Sequence, residues 1–210
     1  MINAVAAAAL AMSTVVVPQA DVPQADVPPP GAVTIDLVTV NGSGCPPGTA
    51  SVAPTPDNTA FHALYSDYIA LVGVGARPTD FRKNCQLTLR VNAPQGYTYG
   101  ISQVDYRGYI QLAGGATGTQ KANYYFQGTV PTEYRSHTWR GPVSDNWQSS
   151  DEGLAVVYRP CGEPRNLNIN TELRVSAGTS DPKTTTSFMA MDSTDAYVAT
   201  VYQFAWKRCE

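Results

Sequence analysis

The sequence predicts an all-β fold: a two-sheet antiparallel β-sandwich of about ten strands in jelly-roll-like order. Three observations predict it. Apolar residues recur with a period of two, not 3.6, along most of the chain. Turn-forming runs such as "NGSGCPPG", "APQG", "LAGGATG" and "AGTSDP" interrupt it at short intervals. Finally, no window of a dozen residues carries an amphipathic helical pattern. The composition agrees, since 12 Tyr, 17 Gly and 16 Pro suit twisted strands and tight turns.

Residues 1–20 read as a signal-peptide-like leader. The run from Ile2 to Val17 is apolar and the first charge is Asp21. Such a run is short of the roughly 20 residues that span a bilayer, and it fits the apolar region of a secretory signal. No membrane span is therefore expected. Cleavage sites are predicted after Ala20 or Ala25. The unit "PQADV" then occurs twice and three prolines follow, so residues 21–31 are expected to form an extended Pro-rich linker. Residues 32–210 remain as a single sandwich domain.

Within that domain "NLNINTELRV" alternates most cleanly. Leu167, Ile169, Thr171, Leu173 and Val175 share one face, and Asn166, Asn168, Asn170, Glu172 and Arg174 the other. Leu87, Leu89 and Val91 repeat the pattern in "CQLTLRV". Residues 196–206, apolar on both faces, are expected in a central strand. In "YTYGISQVDYRGYIQL" the phase slips: Tyr97, Tyr99 and Ile101 share one parity, whereas Val104, Tyr106, Ile110 and Leu112 share the other. A slip of one residue exchanges the faces, which predicts a β-bulge or bend between Ile101 and Val104. Further strands are expected at 33–40, 60–65, 68–74, 120–128, 134–140, 153–159 and 185–191.

The four cysteines, Cys45, Cys85, Cys161 and Cys209, lie too far apart for zinc-knuckle spacing, and two His cannot complete such a site. Behind a signal-like leader an even count reads as two disulfides and an extracellular location. Of the three possible pairings, Cys45–Cys85 with Cys161–Cys209 is expected, because each then joins segments within one half of the domain. In that case Cys209, one residue from the end, pins the last strand.

The blocks "RKNCQLTLRV", "QGYTYGISQVDYRGYIQL", "YYFQG", "DNWQ", "PCGEPRNLNINTELRV" and "FAWKRC" resemble a family of small secreted proteins of actinobacteria and fungi, the domain of unknown function 4360. The resemblance covers about Ile35 to Cys209, all four cysteines included. It implies secretion and a β-rich fold, and it brings no activity or catalytic residue.

Net charge is −3 and the basic residues are scattered, which disfavours nucleic acid as a partner. No cofactor motif is present. His62 and His137 read as structural or surface residues, and no G-x-S-x-G elbow accompanies them. A glycoside hydrolase needs two carboxylates about 5–10 Å apart across a cleft. Asp105, Asp145, Asp151, Glu152, Glu172, Asp192 and Asp195 are available, Asp105 foremost because it shares a strand face with Arg107. Asp192 and Asp195 are weak calcium candidates, and turn capping explains them as well. Aromatic residues gather in the middle third, where Tyr97, Tyr99, Tyr109, Tyr125, Trp139 and Trp147 are candidate ligand contacts. Tyr124 and Phe126 should face the core and Tyr125 the opposite side. Three functions remain: a non-catalytic extracellular module binding wall polysaccharide or protein, a secreted inhibitor or toxin-like factor, and a two-carboxylate glycoside hydrolase. The first fits best, and enzymatic activity is disfavoured without being excluded.

Overall fold

The computed structural model describes residues 27–130, 134–153, 155–191 and 200–209. Leu167, Ile169, Thr171, Leu173 and Val175 all point into the interior, as their alternation requires, and form the inner face of strand Leu167–Ser176. Leu87, Leu89 and Val91 do the same on Arg82–Asn92, which pairs with it antiparallel. Numbered along the chain, the strands are β1 Thr34–Asn41, β2 Ala50–Pro54, β3 Ala60–Tyr65, β4 Ile69–Gly73, β5 Arg82–Asn92, β6 Tyr97–Leu112, β7 Thr117–Phe126, β8 Arg135–Arg140, β9 Val143–Asp151, β10 Leu167–Ser176, β11 Thr186–Ala190 and β12 Thr200–Arg208. Among the described residues there is no helix.

These strands make two antiparallel sheets. The smaller runs β1-β5-β10-β7-β8; the larger runs β2-β3-β12-β6-β11-β4, with β9 on the other edge of β6. A contiguous core fills the space between them, rich in buried rings such as Phe61, Tyr68, Tyr99, Tyr106 and Tyr202. Strand β12 lies between β3 and β6, the central place expected for the apolar run that ends the chain. The β6–β12 register shifts where Gln103 pairs with Gln203 and Ile101 with Phe204. Ser102 is the extra residue, so the predicted bulge exists and keeps Tyr99, Ile101, Val104 and Tyr106 all buried.

Cys45 bonds to Cys85 and Cys161 to Cys209. The second bridge, together with the hydrogen bond from Cys209 N–H to the Gly96 carbonyl, ties down the end of β12. Two strands differ from expectation. β2 is short and lies at the edge of its sheet, ending in Pro54 where no inner ladder has to be served. β9 occupies Val143–Asp151, whereas the predicted strand at 153–159 is irregular, held to β6 through Arg159 N–H and the Tyr99 carbonyl. β9 escaped notice because its inward side chains are Trp147, Ser149 and Asp151, two of the three polar.

Candidate functional site

On one side of the sandwich the two sheets end in different strands, β8 and β9, and between them the interior opens. Register fixes what points inward there. On β8, Arg135 pairs with Ala122 and His137 with Gln120, so both share the inward face of β7. On β9, Trp147, Ser149 and Asp151 face the same space. Asp151 is the hub, with side chain almost wholly enclosed. Its Oδ1 lies 2.8 Å from His137 Nε2, and its Oδ2 accepts hydrogen bonds from Tyr106 and Tyr124 hydroxyls, each 3.2 Å away. Burial pushes both phenols well above their ordinary range, and the Asp151 carboxylate adds to the effect. Beside the hub, Gln120 is fully buried and both its amide atoms lack partners among the described residues, as does the Ser149 hydroxyl.

Next to this cluster lies a pocket of about 380 Å³, lined by Ile101, Tyr124, Tyr125, Phe126, Thr129, Val130, Tyr134, Arg135, Ala155, Val157 and Leu167. Its floor is core: Ile101, Phe126 and Leu167 are buried. Its rim is unusually apolar for a surface, with Val130, Tyr134 and Val157 exposed by 88%, 58% and 48%, and Tyr158 exposed just beyond. The pocket lies along the N-terminal half of β6, past the end of β9, where the chain at 155–159 replaces a regular strand. Gly100 permits this approach, since a side chain there would collide with Val156 and the Val157 carbonyl.

The aromatic candidates do not form one row. Tyr125 is half-buried and lines the pocket together with the buried Tyr124 and Phe126. Tyr99 is fully buried, packed edge-on against Phe126, because the bulge keeps its parity inward; it is core and cannot touch a ligand. Trp147 is also core: its indole N–H donates to the Ala190 carbonyl and its ring packs on half-buried Trp139. Tyr97 carries the Arg208 guanidinium over its ring, and Tyr109 lies against Phe188 with its hydroxyl bonded to Ser144. Neither adjoins the pocket. Asp192 and Asp195 lie outside the described residues, among which no group of three potential metal ligands occurs.

The carboxylates are also dispersed. Asp105 accepts bonds from Ser150 and Gln103, on the sheet face opposite to Asp151, and Glu172 is paired with Arg82. Among the described residues no carboxylate lines the pocket. The residues that sequence reasoning missed are Tyr134, Arg135, Val130 and Val157, together with the inward turn of His137. A β-branched and aromatic pair flanking "PTE" was the available signal.

The fold and site define a disulfide-stapled β-sandwich with an aromatic-rimmed side pocket. The chain matches the family described as a domain of unknown function (DUF4360) over residues 31–209, and it belongs to that family. It is 34% identical over 182 residues to an uncharacterized secreted protein of Arthroderma benhamiae, covering 86% of this chain and 73% of the fungal one. With its two disulfides, that kinship makes this a secreted protein. Among solved structures, the enzymatically active domain of bacteriophage CBA120 tailspike protein 4 aligns over 85% of this chain and 20% of its own. At 10% identity and a TM-score of 0.27, that likeness is too distant to bear on function. Among the described residues no helix is long and apolar enough to cross a membrane.

Proposed function

We propose that this protein is an extracellular binding module without catalytic function, exported on its leader and recognising wall polysaccharide or protein through the pocket beside β7 and β8. One observation carries the reading. Of the seven large hydrophobic side chains exposed among the described residues, Val130, Tyr134 and Val157 line this one pocket. Water-exposed apolar groups gathered around a concavity mark a ligand or partner site far better than the same groups scattered. Among the described residues the lining supplies contact surface and one cation but no carboxylate, which favours binding over two-carboxylate hydrolysis.

Co-sedimentation of the oxidised protein with chitin, cellulose, peptidoglycan and whole cells tests this. Saturable retention, lost in Tyr134→Ala and in Tyr125→Ala, supports a wall-binding module acting through the pocket. Retention that both variants preserve overturns the pocket's role. No retention on any of these materials removes polysaccharide as the ligand and leaves protein.

A further inference from the structure

Resting on that reading of the pocket, we infer the chemistry of what fills it: an apolar chain or ring ending in a carboxylate, with the apolar part on Ile101, Phe126 and Val157 and the carboxylate on Arg135. The argument starts from where Arg135 stands. Its register partner is Ala122, so it occupies the inward-directed face of β8, the face that carries His137 and Trp139. Arg135 is nonetheless exposed, so its guanidinium stands at the mouth of the pocket, open to a ligand arriving from solvent. Among the described residues Arg135 has no ion-pair partner; the carboxylate of Asp151 lies behind Tyr124 and is already taken by His137, Tyr106 and Tyr124. Among the described residues the pocket therefore presents one guanidinium, without an ion-pair partner, over an aliphatic and aromatic floor. A guanidinium binds a carboxylate by a planar pair of charge-assisted hydrogen bonds, and sugar hydroxyls have no comparable match to it. The volume, about 380 Å³, is at the small end of small-molecule sites and suits one such group, free or at the end of a chain.

Two sources share this chemistry: a free aliphatic acid, and the C-terminus of a polypeptide ending in a large apolar residue. Inward charges on edge strands also serve to prevent edge-to-edge pairing, and the experiment separates that role from ligand binding. The purified full chain is titrated calorimetrically with decanoate, with methyl decanoate, and with an acetylated peptide ending in Ala-Leu-Phe as free acid or as amide. Acid is expected to bind about tenfold more tightly than its neutral counterpart in at least one pair, the size of a charge-assisted pair at an accessible site. Arg135→Gln should abolish that preference while leaving the neutral compound's affinity unchanged, and Val157→Asn should weaken acid and neutral forms alike. Binding of the decanoate pair alone identifies an acyl ligand, and binding of the peptide pair alone a polypeptide terminus. Equal affinity for acid and neutral forms, an acid preference that survives in Arg135→Gln, or no binding of any probe overturns the inference. If the probes fail but wall retention still depends on Tyr134, the pocket remains the binding site and only its assigned ligand chemistry is wrong.

Discussion

His137 Nε2 and Asp151 Oδ1 lie 2.8 Å apart and join the edge strand of one sheet to the edge strand of the other. This link is polar and mostly buried. Asp151 also holds Tyr106 from β6 and Tyr124 from β7, so four strands converge on one carboxylate. The cluster stands directly behind the pocket, since Tyr124 belongs to both. Its work is to fix the edge where the pocket opens.

Replacing Asp151 tests that role. Asp151→Ala removes the acceptor from Tyr106 and His137 in a water-poor site, and breaking such a buried arrangement should cost about 3–5 kcal/mol. Asp151→Asn retains an acceptor oxygen and should cost about half as much. Urea denaturation followed by Trp fluorescence reads both values. A loss below about 0.5 kcal/mol in Asp151→Ala, the range of an ordinary surface change, would show that the cluster does not hold the edge.

Alkaline behaviour follows from the buried phenols. Tyr65, Tyr68, Tyr99, Tyr106, Tyr124 and Tyr202 all have ionisation pushed above the ordinary value of 10.0, burial being the first cause in each. The fold holds the neutral phenol, whereas the unfolded chain ionises near pH 10. Stability from this source is therefore complete below about pH 10 and falls progressively as pH rises beyond it. Absorbance at 295 nm should show some tyrosines titrating reversibly near 10 and the rest ionising only as circular dichroism reports unfolding. A single reversible step for all 12 tyrosines would contradict the buried assignment.

The sandwich was legible in the sequence because most strands bury one apolar face, and Leu167, Ile169, Leu173 and Val175 announce theirs by alternation alone. Even the Ser102 bulge could be read, since a parity slip in a long amphipathic strand has few other causes. The site was far less legible. Tyr99 and Trp147 resemble Tyr125 and Tyr134 as residue types, and only their parity on the fold separates core from rim. Asp151 ends a strand whose buried face is mostly polar, so hydrophobic period could not reveal it. The pocket is assembled from β6, β7, β8, β10 and two connecting segments, and such convergence leaves no local signature.

Gly108 on β6 is buried, with the Trp147 indole packed close over it and the Ala190 carbonyl closing the remaining space. A Cβ there would come within 1.9 Å of that carbonyl oxygen and 2.7 Å of the indole nitrogen. Gly108→Ala must therefore displace Trp147 and break its hydrogen bond to Ala190. Overpacking of this kind costs about 1–3 kcal/mol, and the lost bond adds to it. Thermal denaturation should show a fall of several degrees with a red-shifted Trp emission. An unchanged emission maximum would mean that the ring is not held as described.

The bridge between Cys161 and Cys209 closes a separation of 48 residues and reaches the end of β12, the strand that separates β3 from β6. Because β12 is central, its last turns cannot fray without opening the ladder to Tyr97, Thr98 and Tyr99. The double variant Cys161→Ala/Cys209→Ala should lose about 2–4 kcal/mol, most of it through the added freedom of the unfolded chain. The loss should also have a local component. Amide exchange should accelerate at Trp206, Lys207 and Arg208 and at their partners on β6, while β5, stapled by the other bridge, and β10 paired beside it keep their protection. Uniform acceleration across both sheets would instead mean that the bridge acts on the unfolded chain alone, and that hydrogen bonding from Cys209 to Gly96 and the packing of Phe204 already suffice to hold the end of the strand.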